Sequence, residues 1–208
     1  MAQSMSPTQV IATSVRRLRT DYGWSAQRLA DEMTAAGVKW DRMIVVNLEH
    51  GRRGTVDVAE LLVLGRVFDV PPLSLLAPIG HDDVIEALPG QTMQPYDLWQ
   101  WVTGKERPTW IASDSDGSRR WLDAVGTNII YERWQDAEGS VLLAQRDVRR
   151  AEKIGDANRT QDARSRYFEA LEVWAHVLTA IRRKGLVPPD FPDEWESEAR
   201  DVGLLGEA

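Results

Sequence analysis

The side chains available for catalysis in this 208-residue chain are few and scattered. His50, His81 and His176 lie far apart, and none stands in a His-x-x-x-His or similar metal-ligand spacing. There is no cysteine, which excludes disulfides and thiolate metal sites. No phosphate-cradling glycine loop, Gly-x-Ser-x-Gly elbow or zinc motif is present, and pairs such as Asp193-Glu194 read as part of a solvated acidic tail, with or without a last short helix. Neither catalysis nor a bound cofactor is expected. The stretch with the most specific chemistry is WDRMIVVNLEHGRRG at 40–54, where four apolar residues sit between Asp41-Arg42 and a basic, glycine-punctuated end. It is either a buried strand with a basic turn or a short helix that shows one face to something acidic.

Spacing and context favour the helix. Asp41 is a suitable N-cap, Val45 and Leu48 recur at helical spacing, and Gly51 can close the segment. Two helices precede it. Ser6-Pro7-Thr8-Gln9 carries an N-cap, a first-turn proline and a capping-box glutamine, followed by Ile11, Val15, Leu18 and Tyr22 on one face. Ser25 caps a second helix with Ala26, Leu29, Ala30 and Met33, running to Ala36 before Gly37. Val58, Leu61, Leu62, Gly65 and Phe68 predict the buried face of a fourth helix, and VPPLSLLAP a short fifth. Five short helices in about 75 residues define a compact all-α domain at 6–77.

Prolines, glycines and acidic residues at 78–95 read as a linker, with a helical turn at 82–87. Beyond it, residues 96–208 are expected to form a helical dimerisation or regulatory domain. A helix is expected at 95–103, then a tryptophan-rich stretch with Trp99, Trp101, Trp110 and Trp121. Leu122, Val125, Ile129, Ala137, Val141, Ala144, Val148 and Ala151 place a long amphipathic helix over 121–153, about 50 Å at 1.5 Å per residue. Ala163, Tyr167, Leu171, Trp174, Leu178 and Ile181 supply its partner, and a short intervening break predicts an antiparallel hairpin. A hairpin has one seam, so Ile130, Trp134, Leu143 and Trp174 are not expected to be buried together without a further cover. The expected cover is a second copy docking through residues 121–184, with the 96–121 segment as the alternative.

The net charge of -7 is unevenly spread: residues 1–80 carry +1 and the remainder -8. No apolar run reaches the roughly 20 residues of a membrane span, and the first twenty residues lack the apolar core of a secretion signal, so a cytoplasmic location is expected.

The segments VRRLRTDYGWSAQRLADEM, WDRMIVVNLEHGRRG and LLVLGRVFDVPPLSLL together resemble the helix-turn-helix domain of the XRE family, which includes the Cro and lambda-type repressors. The resemblance covers about residues 8–77. It rests on Gly-aromatic-Ser before helix 2, Leu-Ala within it, Leu-Glu-x-Gly-Arg-Arg closing helix 3, and Val-Pro near helix 5. The chain departs from the pattern in TAAGVK, which reads as an extra turn of helix 2 before Gly37 with GVKW as the turn, and in Ala26, which replaces a frequent glutamine beside Gln27. The resemblance implies a lambda-repressor-like five-helix fold whose third helix enters the DNA major groove. It places Arg42, Met43 and Asn47 at base-facing positions, where Arg reads guanine, Asn reads adenine and either Met43 or Ile44 meets a thymine methyl. Ser25, Gln27, Arg52 and Arg53 fall at phosphate-contacting positions, while Glu49 has a structural role in the family. Arg16, Arg17 and Arg19 are as readily a solvated helix face as phosphate contacts. The function so implied is sequence-specific transcriptional regulation on double-stranded DNA, as a repressor rather than an activator. The alternatives are an antitoxin or adaptor-type interaction module, and a regulator sensing a small molecule through a tryptophan-lined pocket.

Overall fold

A computed structural model describes residues 4–206 apart from 82, 83 and 114. Among the described residues the chain forms nine helices and one two-stranded sheet, so the fold is all-α. It divides into two compact units, Met1–Trp110 and Ile111–Ala208.

The first unit opens with α1 (Pro7–Asp21), whose capping box is made: Gln9 N–H donates to Ser6 Oγ at 3.3 Å, and Ser6 N–H donates to Gln9 Oε1 at 2.8 Å. Next come α2 (Ala26–Ala35) and α3 (Arg42–Glu49), capped by Ser25 and Asp41, whose oxygens accept from the Arg28 and Ile44 amides at 3.0 and 2.8 Å. Gly37 and Gly51 take the left-handed backbone needed to leave these helices. The helices α4 (Val58–Val67) and α5 (Pro72–Leu76) complete the set. Val15, Leu29, Met33, Val45, Leu48, Leu64, Phe68 and Leu75 form their common core.

The fourth helix keeps Leu61, Gly65 and Phe68 of the expected face against the core. Val58 and Leu62 are exposed instead, and Glu60 and Leu64 point inward. Gly65 is fixed by a close approach: a Cβ there would stand 2.6 Å from Pro72 Cγ, so α5 seats directly on α4. Glu60 is turned in because Trp40 and Arg53 meet it, as described below.

The expected linker at 78–95 is instead part of the first unit. Strands β1 (Ile85–Leu88) and β2 (Gln91–Met93) form an antiparallel hairpin across Pro89-Gly90, with Ile85 opposite Met93. The helical turn expected at 82–87 is therefore β1 from Ile85 onward, and Asp82 and Asp83 lie outside the described residues. The hairpin is anchored at a distance: Met5 N–H donates to the Val84 carbonyl and Glu86 N–H to the Met5 carbonyl, both at 2.9 Å. Val10, Ala77, Ile85 and Leu98 close a second small core beneath it, with Leu98 supplied by α6 (Pro95–Val102).

The second unit is built on the expected hairpin, in longer form. Helix α7 spans Asp116–Ile154 and α8 spans Ala157–Arg183, joined through Gly155 and the N-cap Asp156. Trp134, Ala137, Val141, Ala144, Val148 and Ala151 alternate at three and four residues, which keeps one stripe of α7 against α8. Leu122 and Ile129, expected on that face, are exposed. The acidic tail is also a structural element. Helix α9 (Asp193–Asp201) buries Trp195 and Ala199 completely, and Trp195 meets Trp174 edge-to-face at 5.6 Å. Phe191 packs on both Trp134 and Trp174, at 5.6 and 5.0 Å. Trp134 and Trp174 are thus buried within the second unit by the chain's own C-terminal segment, without a second copy.

Candidate nucleic-acid interface

Helix α3 is two-sided. Val45 and Leu48 are fully buried and Ile44 packs partly beneath them, which fixes the opposite face outward. Arg42 and Met43 are exposed there, Met43 at 51%, and Asn47 is half-exposed one turn from Met43. Among the described residues Arg42 and Arg52 make no ion pair, so both guanidiniums are free to meet an external acceptor. The three expected base-reading side chains therefore share one outward surface.

Residues at the flanks hold that surface in place. Glu49, at the last position of α3, is nearly buried and accepts two hydrogen bonds from Arg19 of α1, at 2.5 and 2.8 Å. Arg19 Nη1 also donates to the Trp24 carbonyl at 2.6 Å, tying the α1–α2 turn to the end of α3. The hydrogen bonds to Glu49 raise the pKa of Arg19 above its ordinary value although burial opposes them. Of the three arginines on α1, then, Arg19 is internal, while Arg16 and Arg17 are exposed. Trp24 stacks on Phe68 at 5.7 Å, and Tyr22 Oη donates to the Phe68 carbonyl at 2.8 Å, so the same turn is also fixed to the end of α4.

The phosphate-contacting set divides. Ser25 Oγ is used as an acceptor by the Arg28 amide, which leaves its hydroxyl proton available to an outside oxygen. Gln27 is exposed but donates to Asp31 at 2.8 Å, so its amide is shared with a carboxylate. Arg52 is exposed. Arg53 is not a surface cation. Its Nη2 donates to both Glu60 oxygens, at 2.6 and 2.8 Å, its guanidinium lies 5.5 Å from the Trp40 ring centre, and its Nη1 is buried. Trp40 Nε1 donates to the same carboxylate at 2.9 Å. Burial alone would push the Glu60 carboxyl up. The hydrogen bonds from Arg53, Trp40 and the Asp57 amide outweigh it and hold the group below its ordinary pKa. The expectation that Arg53 contacts phosphate is corrected on this geometry: the side chain clamps the loop after α3 to α4. Sequence spacing misses the clamp because Trp40, Arg53 and Glu60 come from three different segments. The one local signal is Asp57-x-x-Glu60, whose capping box forms.

Among the described residues no group of histidine or acidic side chains is placed to hold a metal ion. Among the described residues no helix is long and apolar enough to cross a membrane. Comparison with family models, curated proteins and solved structures gives no match to this chain.

Proposed function

We propose that the first unit binds double-stranded DNA by sequence, with α3 in the major groove, and that the chain acts as a transcriptional repressor of the XRE type. The observation that carries this reading is the outward face of α3. It presents Arg42, Met43 and Asn47 together on a helix whose other side is locked by Val45, Leu48 and the Arg19–Glu49 pair. A rigid helix with a bidentate donor, an amide and an apolar tip on one face has the means to discriminate base edges. Ser25 and Arg52 supply the accompanying phosphate contacts.

A second copy completes the reading. One such unit reads few base pairs, and two copies would address half-sites about 34 Å apart. The face offered to the second copy lies on α7 and α8. There, Leu143 and Val173 are half-exposed around Ala144 and Ala170, bordered by Asp147, Glu169 and Arg166. A patch that carries both signs beside its apolar centre can complement itself across a two-fold axis.

The test is selection of random-sequence duplexes on the full chain, followed by titration of the selected operator. Arg42→Ala and Asn47→Ala should each cost roughly 1–3 kcal/mol against the operator, with little change on unrelated DNA. Arg52→Ala should weaken all sequences and lower the salt slope by about one unit. Unchanged operator affinity in Arg42→Ala would remove α3 as the reading helix, and the absence of any selected sequence would favour an interaction module instead.

A further inference from the structure

A concavity of the first unit lies between β2, α6 and residues 106–110, with a volume of about 490 Å³. That is within the range of small-molecule pockets. Its apolar wall is an indole corner: Trp101 and Trp110 meet edge-to-face, with centroids 5.0 Å apart and planes at 86°. In such a pair one indole keeps both faces clear of the other. Trp101 packs on the small core around Ile85 and Leu98, which anchors the corner, while Trp110 is 42% exposed.

The polar wall is acidic. Of the three ionisable side chains lining the cleft, Asp97 and Glu106 are carboxylates and Arg107 is a cation, so the wall carries a net negative charge. Gln100 Nε2 donates to Glu106 at 2.8 Å and holds that carboxylate on the wall. Indole faces attract cations through their negative quadrupole, and two carboxylates beside them add to the same preference. A neutral or anionic ligand would gain the stacking but not the charge.

We propose that this cleft binds a small organic cation with a planar aromatic body, stacked on the indole corner with its charge toward Asp97 and Glu106. The proposal does not depend on DNA binding, since every residue it uses lies outside α1 to α5.

The experiment is fluorescence anisotropy of rhodamine 6G, a planar cationic dye, titrated with the full chain. Fluorescein, which shares the ring frame but is anionic, serves as the counterpart. Saturable binding of rhodamine 6G is expected, with fluorescein at least about tenfold weaker. Trp110→Ala, a change at a half-exposed position, should weaken rhodamine 6G roughly tenfold, with an unchanged thermal midpoint showing that the fold is intact. An Asp97→Asn, Glu106→Gln double variant should bring the two dyes to similar affinity. Equal binding of both dyes by the wild type, or wild-type binding by Trp110→Ala, would overturn the proposal. So would the absence of saturable rhodamine 6G binding.

Discussion

Arg52 and Arg53 are neighbours with opposite fates. Arg52 faces solvent, while Arg53 is 27% exposed and bonded to a carboxylate that is itself 8% exposed. Removing one partner of a buried pair leaves the other charge without compensation, and the loss is largest where water cannot replace it. Arg53→Ala should therefore destabilise the first unit by about 2 kcal/mol, less than for a fully buried pair because water reaches part of the guanidinium. Arg52→Ala should leave the urea midpoint unchanged while weakening DNA binding. An Arg53→Ala variant with wild-type stability would show that Glu60 finds other partners. The same reasoning separates Arg19 from Arg16 and Arg17: only Arg19 meets a buried acceptor, Glu49.

Helix α9 shows how an acidic segment becomes a structural element. Its Trp195 and Ala199 face the hairpin, and its polar side is tied down by Glu196, which accepts from Arg182 at 3.0 and 2.9 Å and from Arg200 at 2.5 Å. Tyr167 Oη adds a bond to Glu198 at 2.5 Å. The hydrogen bonds from Arg182, and then from Arg200, hold the Glu196 carboxyl at about 2 against the opposing effect of burial. A folded-state pKa depressed from the usual value of about 4.3 contributes stability above that value and loses it as the pH falls toward 2. The stability advantage of wild type over Glu196→Gln should accordingly be full at pH 6 and shrink between about pH 4 and pH 2. Urea unfolding followed by tryptophan fluorescence measures it, and a pH-independent difference would remove Glu196 as the origin.

At the scale of the whole chain, the boundary between the two compact units falls between Trp110 and Ile111. The residues of the proline-rich stretch from Val84 onward are hydrogen-bonded to Met5 and pack Ile85 into a core, so they should resist proteases. Limited proteolysis should instead cut first near the division between Trp110 and Ile111 and release a stable fragment ending there. A first cut within 78–95 would restore the linker reading. The proposed second copy is tested by sedimentation of the full chain, which should run at twice 23.5 kDa at micromolar concentration. A Leu143→Asp, Val173→Asp variant should run as a monomer, because two charges would be buried at the apolar centre of the interface. A wild-type monomer would dismiss the interface on α7 and α8.

The sequence by itself determined the elements whose signals are local. The caps Ser6, Ser25 and Asp41, the closing glycines Gly37 and Gly51, and the three-four spacing of Ala137, Val141, Ala144, Val148 and Ala151 act within one or two turns. The structure has each of them where the spacing places it. The outward position of Arg42 and Met43 was legible too, because burial of Val45 and Leu48 leaves an eight-residue helix one remaining face. Tertiary structure alone decided the rest, since those contacts join residues distant in the chain. Met5 pairs with Ile85 and makes a hairpin of a proline-rich stretch. Trp40, Arg53 and Glu60 converge and withdraw one expected phosphate contact, and Trp195 returns to Trp174 to cover the hairpin. Periodicity reports which face of a helix is apolar, but a partner dozens of residues away is fixed only when the packed chain brings the two surfaces together.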